Sequence, residues 1–335
     1  MTRFLLAIGA GLLSAHAAYA QLPHCPSTCT DTDISKLVCS LKMPYDPSAP
    51  YNPSNPVAPM CDTSVPLPPG TLDTIKKAFL ATNKVGGLQK CICALTNIFV
   101  TTDASNSWGK WLNPQGGGGG GARQYSRAAA TGADNAYIAL NVSDLNTTVP
   151  QQQDARLAGL QIAAGVASHS ETNNSGIDSG TLAALYALAH EMAHLSWRRD
   201  NGSFRASCNL VKMAKSWADG SKANSWAKRP WTTYGNMSFG QRGSNTPPSP
   251  QNANAGTLQT IYKSGVVTAL GAANPEEDFV ESYAMETINL AAGNTSTSTN
   301  YTLNINITGS SPIKVNLNRN SDVQFKFTCV DNVLQ

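Results

Sequence analysis

Residues 181–194 read Thr-Leu-Ala-Ala-Leu-Tyr-Ala-Leu-Ala-His-Glu-Met-Ala-His. Alanine and leucine dominate and no breaker interrupts them, so the stretch predicts a helix over 181–198, capped at its start by Asp178 or Ser179. Residues four apart share a helix face, so His190 and His194 can aim both imidazoles at one ion. Glu191, one residue along, reaches a water beside that ion without ligating it. Two histidines with an adjacent glutamate point to zinc-dependent hydrolysis. The alternative is a pair of ordinary surface histidines on an alanine-rich helix.

A second stretch bears on the choice. The chain has only six glutamates, and four of them fall in residues 274–286, Asn-Pro-Glu-Glu-Asp-Phe-Val-Glu-Ser-Tyr-Ala-Met-Glu. Asn274 as cap and Pro275 at the first helical position predict a helix over 275–292. Glu277 and Glu281 are four apart on one face, with Glu276 turned away, while Phe279, Val280, Tyr283 and Ile288 supply a face to bury. A catalytic zinc takes three protein ligands and keeps one position open. A ligand histidine also needs an acceptor for its other ring nitrogen. Glu277 and Glu281 can fill one role each; a solvated acidic helix face is the alternative.

A His-Glu-x-x-His helix followed by a second helix with a glutamate ligand resembles the gluzincin metallopeptidases, the group that includes thermolysin. The string Glu277-Asp-Phe-Val-Glu281-Ser-Tyr is similar to Glu-Phe-Phe-Ala-Glu-Ala-Phe in the anthrax lethal factor peptidase domain. In that family the first glutamate binds zinc and the second lies behind it. The resemblance implies Glu277 as the third ligand, Glu281 as the partner of a ligand histidine, and one catalytic Zn²⁺. It also implies an α+β zincin-like core, with the active-site helix and the second ligand helix set against a small mixed sheet. It covers about 20 residues in two motifs. Three features depart from it. Leu270 stands where the lethal factor type has an oxyanion-stabilising tyrosine, so Tyr262 and Tyr234 become the candidates. The Asn-Glu-x-x-x-Asp form of thermolysin is absent, as is the metzincin extension with its glycine and third histidine. Gluzincins line the cleft with an edge strand that pairs with substrate backbone, a role expected here of residues 136–142.

The rest of the chain sets the context. Residues 1–20, MTRFLLAIGAGLLSAHAAYA, have the pattern of a secretory signal peptide cut before Gln21. A short membrane anchor is the alternative, and no other stretch is apolar enough to span a bilayer. Charged residues make up 13% of the chain and the net charge is +3, too little to argue for nucleic acid or a membrane surface. Eight cysteines in an exported chain read as disulfides, with the connectivity left open; a metal cluster at Cys25, Cys29 and Cys39 is the rival reading.

Residues 21–70, rich in cysteine and proline, predict an irregular, disulfide-stabilised extension that is either retained or removed as a propeptide. Residues 71–294 form the expected catalytic domain. Within it, strands are expected at 91–102 and 136–142, a helix at 151–167, and a loop at the six glycines of 116–121. Residues 295–335 alternate apolar and polar at 303–307, 313–317 and 323–327, which predicts a small antiparallel sheet. Basic residues and tryptophans interleave at 212–231, read as core tryptophans beside solvated lysines, with a patch for an anionic polymer or glycan as the alternative. His24 and His169 read as surface residues. Asn141, Asn146, Asn201 and Asn300 begin glycosylation sequons.

Three function classes follow: a secreted zinc metallopeptidase acting on protein or peptide through a metal-activated water with Glu191 as base; a secreted zinc-binding protein without turnover; and a disulfide-rich surface or adhesion protein. No nucleic-acid partner is expected, and the sequence does not give the oligomeric state.

Overall fold

The computed structural model describes residues 29–45, 59–102, 107–112, 135–199, 247–273, 275–295, 297–318 and 320–334. Expectations at 1–20, 116–121 and 212–231, and at His24, Asn201, Tyr234 and the Asn274 cap, lie outside these residues.

The chain is a mixed α+β protein. Helix α1 (Asp31–Leu37) opens on a capping box, in which Thr30 Oγ1 accepts from Asp33 N–H and Asp33 carboxylate accepts from Thr30 N–H. Strand β1 (Val38–Ser40) follows, then helices α2 (Thr71–Ala81) and α3 (Gly86–Ile92), and strands β2 (Asn97–Thr101), β3 (Trp108–Leu112) and β4 (Asn135–Asn141). Helix α4 (Val142–Leu145), helix α5 (Val149–Gly159), strand β5 (Ala167–Asn173) and helix α6 (Ser179–Arg199) complete the first half. Helices α7 (Ala255–Lys263) and α8 (Pro275–Ala291), strands β6 (Tyr301–Ile307) and β7 (Ile313–Lys314), and helix α9 (Ser321–Leu334) form the second.

Two sheets result. The first has the order β1-β2-β4-β3, parallel between β1, β2 and β4 and antiparallel between β4 and β3. Its two faces are both covered, and side chains alternate between them. Ile98, Val100, Ile138 and Leu140 enter the main core, while Phe99, Tyr137 and Ala139 meet Leu41 and Tyr45 in a smaller cluster on the other side. The second sheet is antiparallel, β5-β6-β7.

Helix α6 runs through the middle. Residues Leu182 to Ala189 are all at most 4% exposed, as a helix apolar on every side requires. Its most extensive packing partner among the described elements is α8, which is buried in the same manner from Asp278 to Met285. The two stretches singled out in the sequence therefore lie against each other at the centre of the molecule.

Several expectations change. The strand expected at 91–102 begins only at Asn97; Leu88, Cys91 and Ile92 are buried at helical spacing and belong to α3. The helix expected at 151–167 starts at Val149, after a Thr148–Gln151 capping box, and stops at Gly159. Gln161 and Gly165, both at positive φ, turn the chain into β5. The third apolar run of the tail, 323–327, is not a strand. Val323, Phe327 and Val330 are buried on α9 at helical spacing, and the third strand of the antiparallel sheet is β5. The N-terminal extension is not wholly irregular, since it contributes α1 and β1. Residues 136–142 are not at an edge: β4 is interior, and β3 and β1 are the outer strands among those described. His169 is not a surface residue; it is 8% exposed, with Nδ1 2.8 Å from Asp154 Oδ1.

Cys29 pairs with Cys93 and Cys39 with Cys61, which excludes a metal cluster built on Cys29 and Cys39. No helix among the described residues is long and apolar enough to cross a membrane. Both facts are compatible with an extracellular protein.

Candidate metal centre

Helix α6 begins at a side-chain cap: Asp178 Oδ1 accepts from Thr181 N–H at 2.8 Å and Oδ2 accepts from Thr181 Oγ1 at 2.8 Å. Three turns later the helix presents His190 and His194 on one face, their ring centroids 4.9 Å apart and nearly perpendicular. From α8, Glu277 faces both. Its Oε2 lies 4.0 Å from His190 Nε2 and its Oε1 lies 3.7 Å from His194 Nε2. One ligand atom from each of the three residues lies within 4.8 Å of the others. Donors around a tetrahedral zinc at about 2.0–2.1 Å stand about 3.3 Å apart. The group is thus slightly wider than a loaded site and can hold a metal ion. His190 is buried, while His194 and Glu277 are partly exposed, so the cluster opens toward solvent.

Behind the ligands the contacts are tighter. Glu281, one turn after Glu277 and wholly buried, accepts from His190 Nδ1 at 2.8 Å through Oε1. Its Oε2 accepts from Tyr186 Oη at 2.6 Å and from Thr268 Oγ1 at 2.6 Å. Arg156 of α5 pairs with Oε1. Thr268 reaches Glu281 because its loop packs closely on α8. Gly271 N–H donates to Thr268 Oγ1 at 3.2 Å and helps to place that hydroxyl.

The electrostatics follow from these contacts. Burial alone would raise Glu281, but the Arg156 guanidinium and the His190 hydrogen bond outweigh it and hold the carboxyl well below its usual range. Burial first, and then the Arg156 charge, push His190 down to about 3, so its ring is neutral, the form that ligates metals. With Nδ1–H donated to a carboxylate, Nε2 keeps its lone pair toward Glu277 and His194. Glu191 is buried and not among the ligand atoms. Burial pushes its carboxyl up to about 7.

The structure brings His190, His194, Glu277 and Glu281 together. Tyr262 is buried on α7, and its hydroxyl oxygen accepts from Ala269 N–H at 3.3 Å, a contact that ties it to the loop before α8. Arg156, Tyr186, Thr268 and Gln153, which donates to Tyr186 Oη at 2.8 Å, were not anticipated. Tyr186 stands one turn before His190, so the spacing of 186, 190 and 194 carried a signal for it. The others come from distant segments and left no local trace. No protein-family model matches the sequence, and no curated protein or solved structure matches it.

Proposed function

We propose that this chain is a gluzincin-type zinc peptidase, built on a zincin-like core and acting outside the cell. The observation that carries the reading is the pair of contacts on His190. Nδ1 is held by Glu281 at 2.8 Å while Nε2 faces Glu277 and His194. A carboxylate behind a histidine is the arrangement that fixes the ring of a metal ligand.

His190, His194 and Glu277 would hold the ion. Zinc in such a site supplies a Lewis acid that acidifies water and polarises a carbonyl. Glu191 would take a proton from the attacking water on its carboxylate and return it to the leaving amine. A peptide backbone would align along the outer strand β3, which takes over the role expected of 136–142.

The second reading is zinc binding without turnover. Two observations favour catalysis over it: Glu191 follows His190 directly but is not one of the grouped ligand atoms, and among the described residues the cluster offers three donors, the number a catalytic zinc takes. The test is zinc content and peptide-library digestion of the purified chain, with His190→Ala and His194→Ala alongside. About one zinc per chain, lost in both variants together with cleavage, is the expected result. Zinc without cleavage would leave the binding protein. Full zinc occupancy in both variants would remove the ligand assignment.

A further inference from the structure

Arg156 lies on α5, far in sequence from both ligand helices, and its side chain is largely buried among their residues. Its Nη1 reaches Glu281 Oε1 and Tyr186 Oη, the latter at 2.7 Å. Its guanidinium carbon stands 4.8 Å above the centre of the Tyr186 ring. Its Nη2 lies 3.3 Å from His190 Nδ1. One arginine thus touches a candidate ligand, the carboxylate behind that ligand, and the tyrosine that donates to the carboxylate.

The contacts on Nδ1 are of opposite kinds. Glu281 can only accept a hydrogen bond, whereas Arg156 can only donate one. If Nη2 donated to Nδ1, the ring proton would sit on Nε2 and block ligation. The Glu281 oxygen is nearer, 2.8 Å against 3.3 Å, and Arg156 spends Nη1 on that oxygen. The guanidinium fork is planar and rigid, so engaging one arm fixes the other. With Tyr186 and Thr268 on Oε2, every direction of the Glu281 carboxylate is set.

We propose that Arg156 is a positioning residue of the metal centre: it aims Glu281 at Nδ1 of His190, so that Nε2 is left for the ion. The role rests on the metal reading above. The rival account is that Arg156 only neutralises a buried carboxylate, which any cation would do.

Arg156→Lys separates the two, because it keeps the charge and loses the fork. Zinc affinity of the folded protein, measured by chelator competition, should fall about 10- to 100-fold in Arg156→Lys. The visible absorption of the cobalt(II)-loaded protein should change with it. A second measurement needs no change at Arg156. Long-range ¹H–¹⁵N spectra of the metal-free wild type should show His190 protonated at Nδ1, the resonance being assigned by its loss in His190→Ala. Wild-type zinc affinity and cobalt spectrum in folded Arg156→Lys would overturn the role while leaving the metal reading intact. So would a His190 proton on Nε2 in the metal-free protein. A wild type that takes up no zinc would overturn the metal reading, and this role with it.

Discussion

Glu191 and Glu277 are both glutamates beside His190 and His194, yet their removal should fail in different ways. Glu191→Gln keeps the size and hydrogen bonding of the side chain and removes only the base. Zinc content should hold at the wild-type level while peptide turnover falls by at least ~100-fold. Glu277→Ala removes one of three donors, so zinc affinity should fall further than in any variant of the residues behind the ligands. Metal analysis beside kinetics on the same preparations checks both, and a Glu191→Gln protein that cleaves like wild type would end the proposed mechanism. At this scale the sequence was informative wherever helix periodicity alone decides proximity. His190 with His194, and Glu277 with Glu281, are each one turn apart. It was silent on Arg156 and Thr268, which tertiary packing delivers to Glu281. Their separations in sequence from it are 125 and 13 residues. No local pattern marks an arginine as buried.

Helix α8 carries Glu277 and Glu281, so its position along α6 sets the geometry of the whole centre. A buried ion pair from the C-terminal helix holds it there. Lys326 Nζ lies 2.6 Å from Asp278 Oδ2 and also donates to Gly265 O, with both charged side chains fully buried. Breaking such a pair from one side leaves an uncompensated charge in the core, at a cost of about 3–5 kcal/mol. Lys326→Met should lower unfolding stability by that amount in urea titrations, whereas the double variant Asp278→Leu/Lys326→Met should lose less than the single one. Equal losses would mean that the pair contributes packing alone. Helix α9 shows why an alternating run need not be a strand. Val323, Phe325 and Phe327 alternate like a strand, but Val323 and Phe327 are also four apart, and a run this short fits both periods. The strand at Asn97–Thr101 suffered the reverse confusion, because Cys91 and Ile92 extended an apolar run that in fact ends one helix before the strand begins. The helices bearing the candidate ligands were legible to within two residues at each end, since both are long and free of internal breakers, and α6 is capped by a readable aspartate.

Across the whole molecule, the N-terminal extension is bound to the rest in two ways that differ in strength. Strand β1 adds only three residues to the parallel edge of the first sheet, a short ladder that would fray readily by itself. The Cys29–Cys93 bond anchors the segment before α1 to the end of α3 and closes a separation of 64 residues; Cys39–Cys61 closes 22 residues within it. Chain-entropy arguments assign the longer loop about 4 kcal/mol, because the reduced chain gains the freedom that the bond withheld. The smaller core cluster of Leu41, Tyr45, Phe99, Tyr137 and Ala139 lies beside Cys39 and Cys61, so loosening the extension also uncovers one face of the sheet. Reduction should therefore act on the fold before it acts on the candidate metal centre, whose candidate ligands among the described residues come from α6 and α8 and include no cysteine. Calorimetry of the zinc-loaded protein with and without a thiol reductant should show the melting temperature falling by roughly 5–15 °C on reduction. Zinc content at 25 °C should stay unchanged. Limited proteolysis of the reduced protein should cut first on the N-terminal side of α2. An unchanged melting temperature on full reduction would show that β1 and its apolar cluster hold the extension without help from the disulfides. Cys91 of α3 is also disulfide-bonded, so loss of zinc at 25 °C would show that the disulfides together support α6.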